Sequence, residues 1–119
     1  NLALDSENNL YASIDYILSS THNISRPNII KFDNKTWTIK NPVDKNGESL
    51  GYVSKINVDL SGKIWAALIT NNRGLAVYNG EKWLNNFSDI PIDMFPEIAI
   101  DSSNTVWVGG DGIYLITQK

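Results

Sequence analysis

Apolar and polar residues alternate in short runs that each end at an aspartate. Leu2 and Leu4 precede Asp5, Ile56 and Val58 precede Asp59, and Ile98 and Ile100 precede Asp101. A period of two is the signature of a β-strand. Behind each aspartate one phrase returns: Asp5-Ser-Glu-Asn8-Asn-Leu10-Tyr11-Ala12, Asp59-Leu-Ser-Gly62-Lys-Ile64-Trp65-Ala66 and Asp101-Ser-Ser-Asn104-Thr-Val106-Trp107-Val108. The aspartate carboxylate is expected to accept from the backbone N–H two residues on, an Asx turn. Asn8, Gly62 and Asn104 stand where a tight hairpin needs one left-handed residue. Each phrase therefore predicts a strand, a short turn and a second strand.

The second strand of the middle copy, Ile64-Trp65-Ala66-Ala67-Leu68-Ile69, is apolar at odd and even positions alike. A strand of that kind is covered on both faces, as in a sheet stacked between two others. A second recurring phrase adds two more strands. Ile30-Lys-Phe32-Asp33-Asn34-Lys-Thr-Trp37 matches Ala76-Val-Tyr78-Asn79-Gly80-Glu-Lys-Trp83, with Asn79-Gly80 reading as a type I′ hairpin turn and Asp33-Asn34 as a weaker one. The following Trp83–Phe87 stretch is more polar, as suits an outer strand. In the third copy Gly112–Ile116 parallels Gly74–Tyr78, and no fourth strand is legible after it.

The unit is thus a four-stranded antiparallel meander recurring roughly every 40–55 residues, the pattern of a β-propeller blade. The expected fold is all-β: one partial propeller domain over 1–119, with blades at about 1–41 and 53–88 and an incomplete third at about 96–118. A closed propeller has about 4–8 blades. Either the chain is a piece of a larger propeller of roughly 6–8 blades, or several copies assemble, since an open stack leaves apolar faces bare. The opening residue Asn1, in place of Met, fits an excised or processed piece.

Composition narrows the function classes. Hydrophobic residues make up 42% and charged residues 19% of 119 residues, so the segment is globular. The net charge of −3 and the lack of a basic stripe speak against a nucleic-acid partner. Without cysteine there is no disulfide framework, thiol nucleophile or cysteine metal site. No apolar run reaches the roughly 18 residues of a membrane helix.

On the residues Asp59-Leu-Ser-Gly62-Lys-Ile-Trp65, the third copy up to Gly109-Gly110, Gly74-Leu75 and Tyr78-Asn79-Gly80-Glu-Lys-Trp83, the chain resembles the two-component regulator propeller repeat family. It departs from the pattern at Tyr11, in place of Trp, and at Ala67-Leu68 and Gly109-Gly110, where Gly-Thr usually follows. The resemblance implies a non-catalytic ligand-recognition segment in a periplasmic or extracellular sensor of a bacterial two-component system. It further implies an oligosaccharide or other small ligand, remaining blades in a parent chain, and a homodimer formed through that parent. A carbohydrate-active enzyme fragment and a protein-interaction scaffold stay open as alternatives.

Repeated residues point to scaffold and irregular ones to a site. Trp65, Trp107, Trp37 and Trp83 recur at fixed strand positions, which favours packing between blades over sugar stacking. Asp5, Asp59 and Asp101 share a turn position, which favours Asx turns over catalytic or calcium-binding roles, and no metal, cofactor or catalytic residue is expected. Asp44-Lys-Asn46-Gly47-Glu48 has the wrong spacing for a calcium loop and reads as a turn. His22 is the single histidine and sits in a polar insert. The connections that break the repeat, Ser19–Asn28, Asn41–Val53, Thr70–Arg73 and Ser88–Pro96, are expected on one face. From them Tyr52 and Phe95 are ligand-binding candidates as stacking faces, Arg73 as a donor fork for carboxylate or sulfate, and Asn72 as its neighbour.

Overall fold

The computed structural model describes residues 1–14, 29–68, 74–87, 90, 96–110 and 112–118. Among them the chain is all-β, with eleven strands and no helix. The strands are β1 (Leu2–Leu4), β2 (Leu10–Ser13), β3 (Ile29–Phe32), β4 (Trp37–Ile39), β5 (Val53–Val58), β6 (Ile64–Leu68), β7 (Gly74–Tyr78), β8 (Trp83–Phe87), β9 (Glu97–Ile100), β10 (Val106–Gly109) and β11 (Ile113–Ile116). They form three antiparallel meanders: a four-stranded sheet β1-β2-β3-β4, a four-stranded sheet β5-β6-β7-β8 and a three-stranded sheet β9-β10-β11. The middle sheet kinks at two register irregularities, one in β5 and one in β7–β8.

The repeated phrase folds the same way three times. Asp5 Oδ1 accepts from the Glu7 and Asn9 N–H groups, Asp59 Oδ1 from Ser61 and Lys63, and Asp101 Oδ1 from Ser103 and Thr105, all at 2.9–3.0 Å. Asn8, Gly62 and Asn104 take φ of 65°, 87° and 63°. These are the left-handed positions expected from residue type. The third-to-fourth strand turns differ from expectation. Only Gly80 (φ 100°) and Asn34 (φ 75°) are left-handed, whereas a type I′ turn needs two such residues. The reason is side-chain capture: Asn79 Oδ1 accepts from the Glu81 and Lys82 N–H groups, and Asp33 Oδ1 from Lys35 and Thr36. That satisfies the turn donors with a single left-handed residue.

Stacking of the sheets sets the core. One face of the middle sheet, including Ile56, Val58, Ile64, Ala66, Ala76 and Trp83, packs with Tyr11 and Ile29 of the first sheet. The other face, Trp65, Ala67, Leu75 and Val77, packs with Ile98, Val106 and Val108 of the third. Strand β6 is buried at all five positions, as its two-sided apolar pattern requires. Between sheets, close backbone approach runs mainly through the first strands, β1 against β5 and β5 against β9. Two asparagines link those strands. The Asn1 amide donates to the Ile56 carbonyl (2.9 Å) while its oxygen accepts from the Ile56 N–H (3.0 Å). Asn57 donates to the Ile98 carbonyl at 2.9 Å. Ile56 and Ile98 hold the same position in their sheets, three residues before the aspartate.

The outward faces of the end sheets remain apolar. On the first sheet the cross-strand rows are Leu2–Ala12–Ile30–Ile39 and Leu4–Leu10–Phe32–Trp37, and Trp37 stacks on Phe32 at 4.6 Å. On the third sheet Ala99, Trp107 and Leu115 form a row, with Ile113 beside it. The repeated tryptophans therefore split. Trp65 and Trp83 lie between sheets, whereas Trp37 and Trp107 stand on the bare faces.

Candidate functional site

The three aspartates are the most regular polar groups, and their chemistry is consumed by the fold. Each uses its second oxygen on the aromatic residue six positions later. Tyr11 donates to Asp5 Oδ2 at 3.3 Å, Trp65 to Asp59 Oδ2 at 2.9 Å and Trp107 to Asp101 Oδ2 at 2.9 Å. The aspartate thus fastens its own turn and the strand that leaves it. Asp59 is 1% exposed and takes a fourth donor, the Gln118 amide at 2.9 Å. Four N–H groups solvate that buried carboxylate, so no cation is needed to hold it.

Asp101 is held below the ordinary carboxylate value, first by the Trp107 indole and then by the Thr105 and Ser103 amides. At Asp5 partial burial works the other way, but hydrogen bonds from Asn9, Glu7 and Tyr11 outweigh it and the value is again lowered. Carboxylates fixed in the ionised form by neutral donors suit a structural role better than proton transfer. The constant six-residue spacing of aspartate and aromatic was visible in the sequence, and it is the signal from which this bond can be read.

A fourth turn of the same build lies in the connection between the first two sheets. Asp44 Oδ1 accepts from Asn46 (2.8 Å) and Glu48 (3.0 Å), Gly47 is left-handed at φ 81°, and Val43 bridges Ser49. Gly47 stands three residues after the aspartate, as Gly62 does after Asp59. Leu50 takes the aromatic's place and is buried among the first interface's residues. The segment was expected to be a turn; its kinship with the repeated phrase is what the structure adds.

This connection forms one wall of a groove of about 660 Å³. Ile39, Asn41, Val43 and Asp44 line one side and the β7–β8 hairpin the other, with Tyr78 and Trp83 at the base. The two rings lie 5.5 Å apart at 45°, and the Lys40 ammonium sits 5.1 Å from the Tyr78 ring. Lys45, Lys82 and Glu81 complete the rim. The groove opens where the last strands β4 and β8 lie, away from the first strands that hold the sheets together. Its size falls in the roughly 300–1,000 Å³ range of ligand sites. Three lysines face two carboxylates, and Asp44 already spends an oxygen on its own turn. The lining thus offers cationic donors over an aromatic base.

Of the residues selected from sequence, Tyr52 is half-exposed just ahead of β5 and does not line the groove. Asn72, Arg73 and Phe95 lie outside the described residues, as does His22. Among the described residues, the Asn41–Val53 connection contributes to the groove through Asn41, Val43, Asp44 and Lys45. The chain matches no protein-family model, and no curated protein matches it.

Proposed function

We propose that the three sheets are blades of a β-propeller and that the chain is a non-catalytic, ligand-recognising portion of it. The supporting pattern is the succession β1, β5, β9 of neighbouring first strands tied by Asn1 and Asn57, with the sheets parting toward their last strands. The bare faces agree with it. The outward face of the third sheet presents Trp107 as the middle sheet presents Trp65 to its neighbour. The outward face of the first sheet presents Phe32 and Trp37 as the middle sheet presents Tyr78 and Trp83. The two exposed faces are thus the two halves of an interface the chain already makes twice, and further blades would cover them.

Taken with the resemblance of the repeat phrase to sensor propellers, the ligand class is an oligosaccharide and the setting the extracytoplasmic sensor of a two-component system. The observation that carries the ligand assignment is the lysine-rimmed groove over Tyr78 and Trp83. Ammonium donors and ring edges suit sugars bearing carboxylate or sulfate groups, so acidic oligosaccharides are favoured over neutral ones.

Calorimetric titration of the chain with neutral, uronic and sulfated oligosaccharides tests this. Binding of an acidic member, weakened about tenfold by Lys82→Ala and Lys45→Ala together with unchanged thermal stability, is the expected result. A loss produced by Tyr52→Ala and Arg73→Ala instead would move the site to the irregular loops. Absence of binding across the panel would remove the carbohydrate reading.

A further inference from the structure

The chain carries two Asn-Gly pairs, Asn46-Gly47 and Asn79-Gly80, and a glutamate follows each. At such a pair an asparagine can convert itself to an acid. The deprotonated backbone nitrogen of the glycine attacks the side-chain Cγ and forms a C–N bond. The C–Nδ2 bond then breaks, and the nitrogen takes up a proton and leaves as ammonia. Water opens the resulting cyclic imide to an aspartyl or an isoaspartyl residue. Glycine favours the first step because no Cβ shields its nitrogen. With the same residues on the downstream side, the difference between the two pairs is set by the fold.

Three features single out Asn79. Its Oδ1 lies 2.9 Å from the Glu81 nitrogen and 3.0 Å from the Lys82 nitrogen, and both N–H groups donate to it. That oxygen gathers negative charge as Cγ is attacked, and two fixed donors at these distances act as a small oxyanion hole. Next, the Gly80 N–H makes no hydrogen bond among the described residues, so nothing opposes loss of its proton. Last, the turn is exposed, and a Cβ built on Gly80 would meet nothing within 4 Å. Asn46 lacks the first two features. The Gly47 N–H is tied to the Asp44 carbonyl at 3.0 Å, and the donors of that turn, Asn46 and Glu48, go to Asp44 Oδ1 rather than to the Asn46 side chain.

The first sheet displays the product of the reaction. Asp33 stands where Asn79 does, its Oδ1 accepts from Lys35 at 3.0 Å and Thr36 at 2.9 Å, and a left-handed Asn34 follows as Gly80 follows Asn79. The Thr36 and Lys35 amides hold Asp33 below the ordinary carboxylate value. An ionised aspartyl residue thus closes this turn as asparagine does. An isoaspartyl residue adds a backbone carbon and shortens the side chain, so it breaks the register of the same bonds.

We propose that Asn79 is a site of spontaneous deamidation promoted by its own hairpin turn, and that the aspartyl product keeps the sheet intact while adding one negative charge beside Glu81 and Lys82. Those two residues belong to the wall of the groove, so the reaction changes the charge of that wall without changing its shape. The assignment does not rest on what the groove binds.

The test incubates the whole chain in mildly alkaline buffer, folded and in urea, and follows both pairs by peptide mapping with mass spectrometry. In the folded chain conversion at Asn79 should run about tenfold faster than at Asn46, whose glycine N–H is hydrogen-bonded. In urea the two pairs should react at similar rates. Equal rates in the folded chain, or faster conversion of Asn79 in urea than in the fold, overturns promotion by the turn. An Asn79→Asp variant should keep the Tm of the parent chain and co-elute on ion exchange with the aspartyl form of the aged protein. A clear drop in its Tm overturns the claim that the sheet tolerates the product.

Discussion

Trp65 and Trp107 occupy the same position of the same phrase, six residues after an aspartate, and each donates to it at 2.9 Å. Yet Trp65 is 2% exposed and Trp107 is 39% exposed. Trp83 and Trp37 repeat the contrast at 9% and 59%. What differs is the next sheet. The middle sheet has one on each side, whereas the first and third sheets have one each among the described residues. The turn and its hydrogen bonds form from six or seven consecutive residues wherever they sit in the stack. Burial, and with it most of the stabilisation, comes from neighbours distant in sequence.

The largest test of this contrast is truncation. Trp65→Ala should cost about 3–5 kcal/mol in urea denaturation, the range for deleting a buried large aromatic. Trp107→Ala should cost less than half as much, because only part of its ring leaves water on folding. Equal losses would mean that the hydrogen bond to the aspartate, rather than burial, carries the stabilisation. Asp59→Ala comes next, at about 2–4 kcal/mol. It strands the Trp65 indole, the Gln118 amide and two backbone N–H groups, and at 1% exposure water cannot replace the carboxylate. Asp101→Ala should give a smaller drop in Tm, since solvent reaches that turn.

The smallest effect is on pH dependence. Asp5 and Asp101 are held below their ordinary value of 3.8, so their contribution is complete above that value and fades as pH falls through their lowered folded-state values. Acidification below about pH 4 should therefore destabilise the chain. An Asp5→Asn/Asp101→Asn variant should show a shallower decline in Tm over the same interval. An identical decline would assign the acid sensitivity to other carboxylates.

The features legible in advance were those with a local cause. The left-handed residues Asn8, Gly62 and Asn104 and the Asx turns follow from side chains a few positions apart. The two-sided burial of β6 was also legible, because an apolar residue at every position leaves no face for water. The Asn79-Gly80 turn departs from the type its residues predict because the Asn79 side chain competes for the turn donors. The kinship of the Asp44 turn with the repeat is hidden in the sequence because Leu50 stands where the other copies carry an aromatic. The groove was out of reach, since its walls come from Ile39–Lys45 and Tyr78–Leu84 and meet only when two sheets stack.

By itself the sequence determined the repeating unit: alternation sets the strands, and an aspartate, a left-handed residue and an aromatic set each turn. All of these act through contacts within a few residues, and such contacts are the same in every copy. Only the tertiary structure decided which copies are covered, which tryptophans are dry, where the groove opens and that Gln118 ties to Asp59. Those outcomes depend on which sheet lies beside which. The matching phrases at Asp59 and Asp101 build the same turn and cannot encode that difference, because the energy that separates them is burial against another part of the chain.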